Sequence, residues 1–74
     1  MIDFKKLLEQ DEKETKEILE ENEQREDLLL YSMSRHTMGS NKWDKKRRDL
    51  EKVRGIITYW KGRLHQIERM RSVS

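Results

Sequence analysis

The apolar residues between positions 50 and 67 are spaced alternately three and four residues apart, as Leu50, Val53, Ile57, Trp60, Leu64 and Ile67. This is the heptad spacing with which one α-helix packs along another. Ile56 and Tyr59 widen the row into the broader apolar stripe that a globular core needs. We therefore predict a helix over about residues 45–69, with those six residues as its core seam.

The N-terminal third of the chain also has the composition of a helix. Residues 3–27 contain no glycine or proline and are rich in Glu, Lys, Leu and Gln, which are good helix formers. Asp3 stands where an N-cap is expected. The apolar side chains form two patches that Asp11 and Thr15 separate. We predict a first helix from about residue 3 to about 24, with a narrow and interrupted core face.

A glycine-serine pair, Gly39-Ser40, lies between the two predicted helices. It suits a two-residue type II′ turn, in which glycine takes the first central position because φ must be positive there. In the register that this turn sets, Met38 and Trp43 share one face of a strand pair. We predict a short β-hairpin over about residues 35–43, with Gly39 and Ser40 forming its turn.

The predicted fold is α+β and mostly α, in the order helix, short β-hairpin, helix. The helices are expected to be antiparallel, with the hairpin packed on one end and Asp44 as the N-cap of the second helix. The alternative is an all-α helical hairpin. In either case residues 1–74 form a single small domain, in which residues 70–74 are a frayed tail.

A chain of 74 residues with 32% hydrophobic and 43% charged residues has little material for a core. A domain of this size buries only about 60% of the surface that its unfolded chain exposes. It has no cysteine for a disulfide or a thiolate site, and its two histidines are fewer than the four Cys or His ligands of a typical structural zinc site. We expect no cofactor and no metal. We expect an assembly component, stabilised by other copies of itself or by a larger partner.

The two halves of the chain carry opposite charge. The first 31 residues hold eleven acidic and five basic side chains, and the remaining residues hold four acidic and twelve basic ones. Such asymmetry suggests either that opposite faces of neighbouring copies pair or that one half meets a polyanion. A solvated surface on two helices is the third interpretation.

The densest basic cluster lies at the start of the second predicted helix, where the candidate contact residues are Lys42, Trp43, Lys45, Lys46, Arg47 and Arg48. Cations are unfavourable at a helix N-terminus, so the cluster is expected to serve a partner. Phosphates of DNA would be bound independently of sequence and in a salt-sensitive way. The alternatives are an acidic protein surface, including helix 1 of a neighbouring copy, and solvation. Trp43 is the candidate exposed aromatic, whereas Trp60 belongs to the core seam.

No motif for catalysis accompanies these features. His36 and His65 are far apart in sequence and have no acidic or nucleophilic residue placed beside them by a motif. No apolar run approaches the roughly 18 residues of a membrane span, and the amphipathic N-terminus does not resemble a signal peptide. We predict a protein that is not an enzyme and does not span a membrane.

Residues 31–69 carry a further pattern: a strand ending in Met38, the turn at Gly39-Ser40, a second strand through Trp43, and a capped helix containing "DLEKVRGIITYW". This pattern resembles the C-terminal half of small tailed-phage proteins of the lambda W type. Members of that family are head-completion, or head-to-tail joining, proteins with an α-β-β-α fold. They form rings on the portal, retain packaged DNA in the head and present a surface for tail attachment.

The resemblance implies a structural virion protein of a bacteriophage, namely a head-tail connector subunit that forms a homo-oligomeric ring on the portal or another phage structural protein. Any contact with DNA would be non-specific. It would act at the head-tail junction of the virion, after assembly in the host cytoplasm. Two alternatives remain open. One is a small phage or bacterial interaction module that binds and inhibits a host protein, and the other is a basic nucleic-acid-binding domain.

Overall fold

The computed structural model describes residues 3–73 and consists of two α-helices. Helix α1 spans Phe4–Ser34 and helix α2 spans Asn41–Val73, with residues 35–40 as the connection. Glu12 near the start of α1 pairs with Arg71 near the end of α2, so the helices run antiparallel. The result is a rod with extents of 57 × 16 × 15 Å.

The alternative fold, an all-α helical hairpin, is therefore confirmed. The β-hairpin predicted for residues 35–43 is wrong, because residues 3–73 contain no strand. Residues 35–40 form the loop and residues 41–43 already belong to α2. The α-β-β-α order implied by the resemblance is likewise not the order of the described chain. Two strands alone bury little surface, whereas longer helices extend the contact between α1 and α2.

Helix α1 begins as predicted and ends ten residues later than predicted. Asp3 is confirmed as the N-cap: its Oδ1 accepts hydrogen bonds from the backbone N–H groups of Lys5, at 3.1 Å, and Lys6, at 3.3 Å. The helix continues beyond residue 24 because residues 28–30 are leucines, which favour helix, and Leu29 packs against the core.

The loop ends in a turn followed at once by a helix cap. The N–H of Ser40 donates to the carbonyl of Thr37 at 3.0 Å, and Gly39 has a φ of +85° in the third position of this turn. The Oγ of Ser40 then accepts a hydrogen bond from the N–H of Trp43 at 3.2 Å. Ser40 therefore caps α2 in place of Asp44, which lies within the first helical turn. Gly39 does adopt the positive φ expected of it, but its turn joins two helices.

The side chains that α1 turns toward α2 follow an uninterrupted heptad spacing of their own. All eight are buried or half-buried: Leu8, Glu12, Thr15, Leu19, Asn22, Glu26, Leu29 and Met33. Four of the eight are polar, so a search for apolar periodicity finds gaps where the structure has contacts. The prediction of an interrupted face was wrong about Asp11, which is exposed, while Thr15 is only 3% exposed and belongs to the seam.

The predicted seam of α2 lies against this row. Leu50, Val53, Ile57 and Ile67 are buried, and Trp60 and Leu64 are half-buried. Leu19, Val53 and Ile57 form the central cluster, against which Leu29, Trp60 and Leu64 pack. Helix α2 also begins before residue 45 and ends after residue 69. Its last turns occupy residues 70–73, where a frayed tail was predicted; Ser74 lies outside the described residues.

Alanine substitutions at two glycines of this fold should change the free energy of unfolding in opposite directions. We expect Gly39→Ala to lower the free energy of unfolding by about 1–2 kcal/mol, because a side chain at φ +85° is strained. We expect Gly55→Ala to raise it by about 1 kcal/mol, because Gly55 lies inside α2 and an added Cβ would meet no atom within 4 Å. Urea unfolding of both variants checks the pair; changes of the same sign would contradict the turn described here.

Candidate interaction surfaces

One side of the hairpin carries most of its exposed apolar side chains. We call this side the apolar face and define it by Phe4, Leu7 and Leu28 of α1 and Ile56, Tyr59, Met70 and Val73 of α2. Their exposed fractions run from 39% for Ile56 to 89% for Val73. A surface of this kind on a small protein is typical of an interaction site.

Two grooves show that these residues share one side. Near the chain ends, Phe4 lines a groove with Met70 and Val73. Near the loop, Leu28 lines another groove with Asp49 and other residues of both helices. Asp49 and Met70 are three heptads apart, so they project from the same side of α2. The two grooves are therefore opposite ends of one face.

The other side of the rod is polar, and we call it the polar face. By heptad position it carries exposed Glu9, Lys16 and Glu23 from α1 and Arg47, Arg54, Lys61 and Glu68 from α2. Leu30 is its large apolar residue, at 41% exposure. The exposed large apolar side chains are thus concentrated on one side of the hairpin.

The opposite charges of the helices meet across the seam. Arg54 Nε donates to Glu26 Oε2 at 3.1 Å. A second pair, between Arg71 and Glu12, lies nearer the chain ends. Glu12 also accepts from Lys16 Nζ at 2.9 Å. The hydrogen bonds from Lys16 and then from Arg71 lower the pKa of the Glu12 carboxyl below its ordinary value. The same contact with Glu12 raises the pKa of Arg71.

The lowered pKa of Glu12 makes the free energy of unfolding depend on pH. Because the folded pKa of Glu12 lies below the unfolded one, the stabilising effect is complete above the ordinary carboxyl pKa and is lost as the pH falls through the lowered value. We expect the melting temperature to fall between pH 6 and pH 3, and Glu12→Gln to reduce that fall. Exposed Glu20→Gln serves as the control. If both variants keep the full acid sensitivity of the parent, the Glu12 contacts do not contribute.

Of the predicted basic contact residues, Lys42 lies in the first turn of α2 behind the cap at Ser40, and Lys45 to Arg48 lie in the second turn. Lys42, Lys45, Arg47 and Arg48 are exposed, and Lys46 is half-buried. Trp43 is half-buried too, with the Arg47 guanidinium carbon 5.8 Å from the centre of its ring. Because α2 begins at Asn41 and carries Asp44 in its first turn, the helix dipole disfavours Lys45 to Arg48 less than the sequence prediction assumed.

The remaining candidate residues are not brought together. Tyr59 and Trp60 make an edge-to-face contact with ring centres 5.3 Å apart, where Trp60 is half-buried and Tyr59 is 63% exposed. His36 lies in the loop and His65 lies in the last third of α2. Within residues 3–73 no group of three or more His, Cys, Asp or Glu side chains is arranged to hold a metal ion.

Sequence reasoning used Ile56 and Tyr59 only to widen the core stripe and did not recognise a separate face. The signal was nevertheless present in the sequence, since Ile56, Tyr59, Met70 and Val73 follow helical spacing one residue before the core seam.

Neither helix in the described part of the chain is long and apolar enough to cross a membrane.

Comparison with known proteins identified no relative of this chain. No protein-family model matches the chain, and neither a curated protein nor a solved structure matches it.

Proposed function

We propose that this protein is a non-enzymatic assembly component that acts by binding other protein chains. The observation that carries the proposal is the apolar face, which leaves large side chains such as Leu28, at 69%, and Tyr59, at 63%, in contact with solvent. Within residues 3–73 the buried apolar core consists of six side chains. A rod with so small a core and so much exposed apolar surface gains stability when another chain covers that surface.

The narrower proposal within this class is a subunit of a phage head-tail connector, assembled as a ring on the portal of the virion. It is supported by the resemblance of residues 31–69 and by the separation of acidic α1 from basic α2, which suits contacts between neighbouring subunits. The strand pair expected from the resemblance is absent from residues 3–73, so the support comes from the sequence pattern and the charges.

Native mass spectrometry of the purified protein mixed with the portal protein of the same genome tests the narrower proposal. We expect a complex with a defined number of copies per portal ring. A low-order complex with a host protein in place of the portal would favour the alternative, an interaction module that inhibits its target. If the chain binds neither itself, nor the portal, nor any other protein, the function proposed for it is wrong.

A nucleic-acid-binding domain is the second candidate, favoured by one observation. Helix α2 carries eleven basic and four acidic side chains, and its first turns present exposed Lys45, Arg47 and Arg48. Such a surface would bind phosphates with an affinity that falls steeply as salt rises.

Substitution of these three residues by alanine discriminates the second candidate from the first. If DNA is the partner, the affinity for a duplex and its salt dependence both fall in the variant. The matched control replaces Lys5, Lys6 and Lys13, three exposed lysines of α1, and should leave binding nearly unchanged. Equal losses in both variants would mean that only net charge matters, and no binding at low salt would eliminate this candidate.

A further inference from the structure

Helix α2 has a second heptad seam that no part of the described chain covers. Its members are spaced alternately three and four residues apart, in the order Ile56, Tyr59, Arg63, Gln66, Met70 and Val73. All six are exposed in the hairpin. A heptad row of this kind is the pattern with which α2 already packs on α1, so the second row fits another helix laid along the apolar face.

Helix α1 has the matching row on the same side of the rod, with members Phe4, Leu7, Asp11, Glu14, Ile18, Glu21, Arg25, Leu28 and Ser32. Its two ends are apolar, at Phe4 with Leu7 and at Leu28. Its middle is mostly acidic, with exposed Asp11, Glu14 and Glu21 beside half-buried Ile18 and exposed Arg25. A helix lying over this row is therefore favoured if it is basic and if it offers apolar side chains beside Phe4 and Leu7.

Charge identifies which helix meets that requirement. Helix α2 carries exposed basic Lys52 and Arg63 on its own part of the face, between and beside its apolar residues. Helix α1 in turn offers the acidic surface that α2 requires. A second copy of the hairpin therefore satisfies both rows at once, provided that its α2 lies over α1 and its α1 lies over α2.

Symmetry then selects one arrangement. A two-fold axis parallel to the rod places each α1 over the α2 of the other copy and brings both loops to the same end. A two-fold axis across the rod would instead place α1 over α1, acid against acid, with the loops at opposite ends. The first arrangement gives every helix antiparallel neighbours of opposite charge.

We propose that two copies of this protein pack through their apolar faces into an antiparallel four-helix bundle whose two-fold axis runs along the rod. A face 57 Å long and 16 Å wide offers roughly 900 Å² per copy, comparable with the ~800 Å² per partner of a standard interface. The inference rests on the proposed assembly function and names the chain itself as the partner at this surface.

Sedimentation equilibrium tests whether the dimer forms. We expect twice the 9.1 kDa mass of the chain at micromolar concentration. The variant Tyr59→Glu with Met70→Glu adds two charges to the apolar face, opposite acidic α1 of the other copy, and should weaken dimerisation at least 100-fold. The matched control, Thr58→Glu with His65→Glu, adds the same charges to exposed positions away from that face and should remain dimeric. Circular dichroism of both variants checks that the helices persist.

Spin labels at Met38→Cys test the arrangement. Met38 lies in the loop and is 80% exposed. With the axis along the rod, the two labels are close together at one end of the bundle. With the axis across the rod, they are separated by about the 57 Å length.

A distance near 57 Å, a monomer at every concentration, or equal weakening in both glutamate variants would overturn the inference. A monomer that still binds the portal protein would leave the assembly function intact. Loss of all protein binding would remove the assembly function as well.

Discussion

Replacing Ile57 by alanine should lower the free energy of unfolding by about 2–5 kcal/mol, the range seen when a large aliphatic side chain is removed from a packed core. Ile57 is 6% exposed and shares the central cluster with Leu19 and Val53. Small domains have few other core contacts to compensate for a lost side chain. Since domains of this size have only marginal stability, we expect the variant to be largely unfolded at 37 °C.

Urea or thermal unfolding followed by circular dichroism measures this effect, with all samples at one protein concentration because association would shift the apparent stability. Leu30→Ala is the matched control: it removes a leucine that is 41% exposed on the polar face. We expect it to cost well under half as much. Equal losses at the two positions would contradict the packing of α2 on α1.

Replacing Asn22 by leucine should have the largest effect in the opposite direction, a gain of about 1–3 kcal/mol in the free energy of unfolding. Asn22 is 8% exposed within the α1 seam, and its Nδ2 donates to the carbonyl of Ile18 in its own helix at 2.8 Å. That contact does not join the two helices. A leucine would therefore add apolar contact with α2 without breaking an interhelical bond.

The gain should come with a loss of specificity, because a polar residue in a heptad seam restricts which partners and registers are favourable. We expect Asn22→Leu to melt at a higher temperature and to sediment as a broader mixture of assemblies than the parent. Gln24→Leu, at an exposed position of the same helix, is the control. A destabilised Asn22→Leu would show that the amide is needed for packing.

The two helices of this fold differ in how much of their packing could be predicted. The α2 seam is apolar throughout, so its residues could be identified from spacing alone. Half of the α1 seam is polar, and residues such as Glu12 and Glu26 are half-buried because their charges are paired across the interface. Their membership depends on arginines more than 25 positions away, which local periodicity does not reveal.

The loop shows a different limit. A glycine with positive φ was a sound expectation for Gly39, but type II′ hairpin turns and helix-joining turns both accept such a residue. Which of the two turns forms depends on whether the flanking residues are stabilised more by pairing as strands or by lengthening the helices. Here Leu29 reaches the core only if α1 continues, and Ser40 caps α2.

The candidate surface could be predicted in part. The basic cluster is visible in the sequence, but the position of the helix start, which changes its electrostatic setting, is not. The apolar face was hidden because its α2 row lies next to the core seam. A single helix with two adjacent rows has the same sequence pattern as one with a wide core stripe, until the width of its partner is known.

Because α1 and α2 run in opposite directions, Phe4 and Val73 lie beside each other in one groove while the loop is at the far tip of a 57 Å rod. A polypeptide that enters this hairpin leaves it at nearly the same point in space. The hairpin could therefore be inserted into a surface loop of another protein with little disturbance of that protein. Its loop would then lie far from the point of insertion.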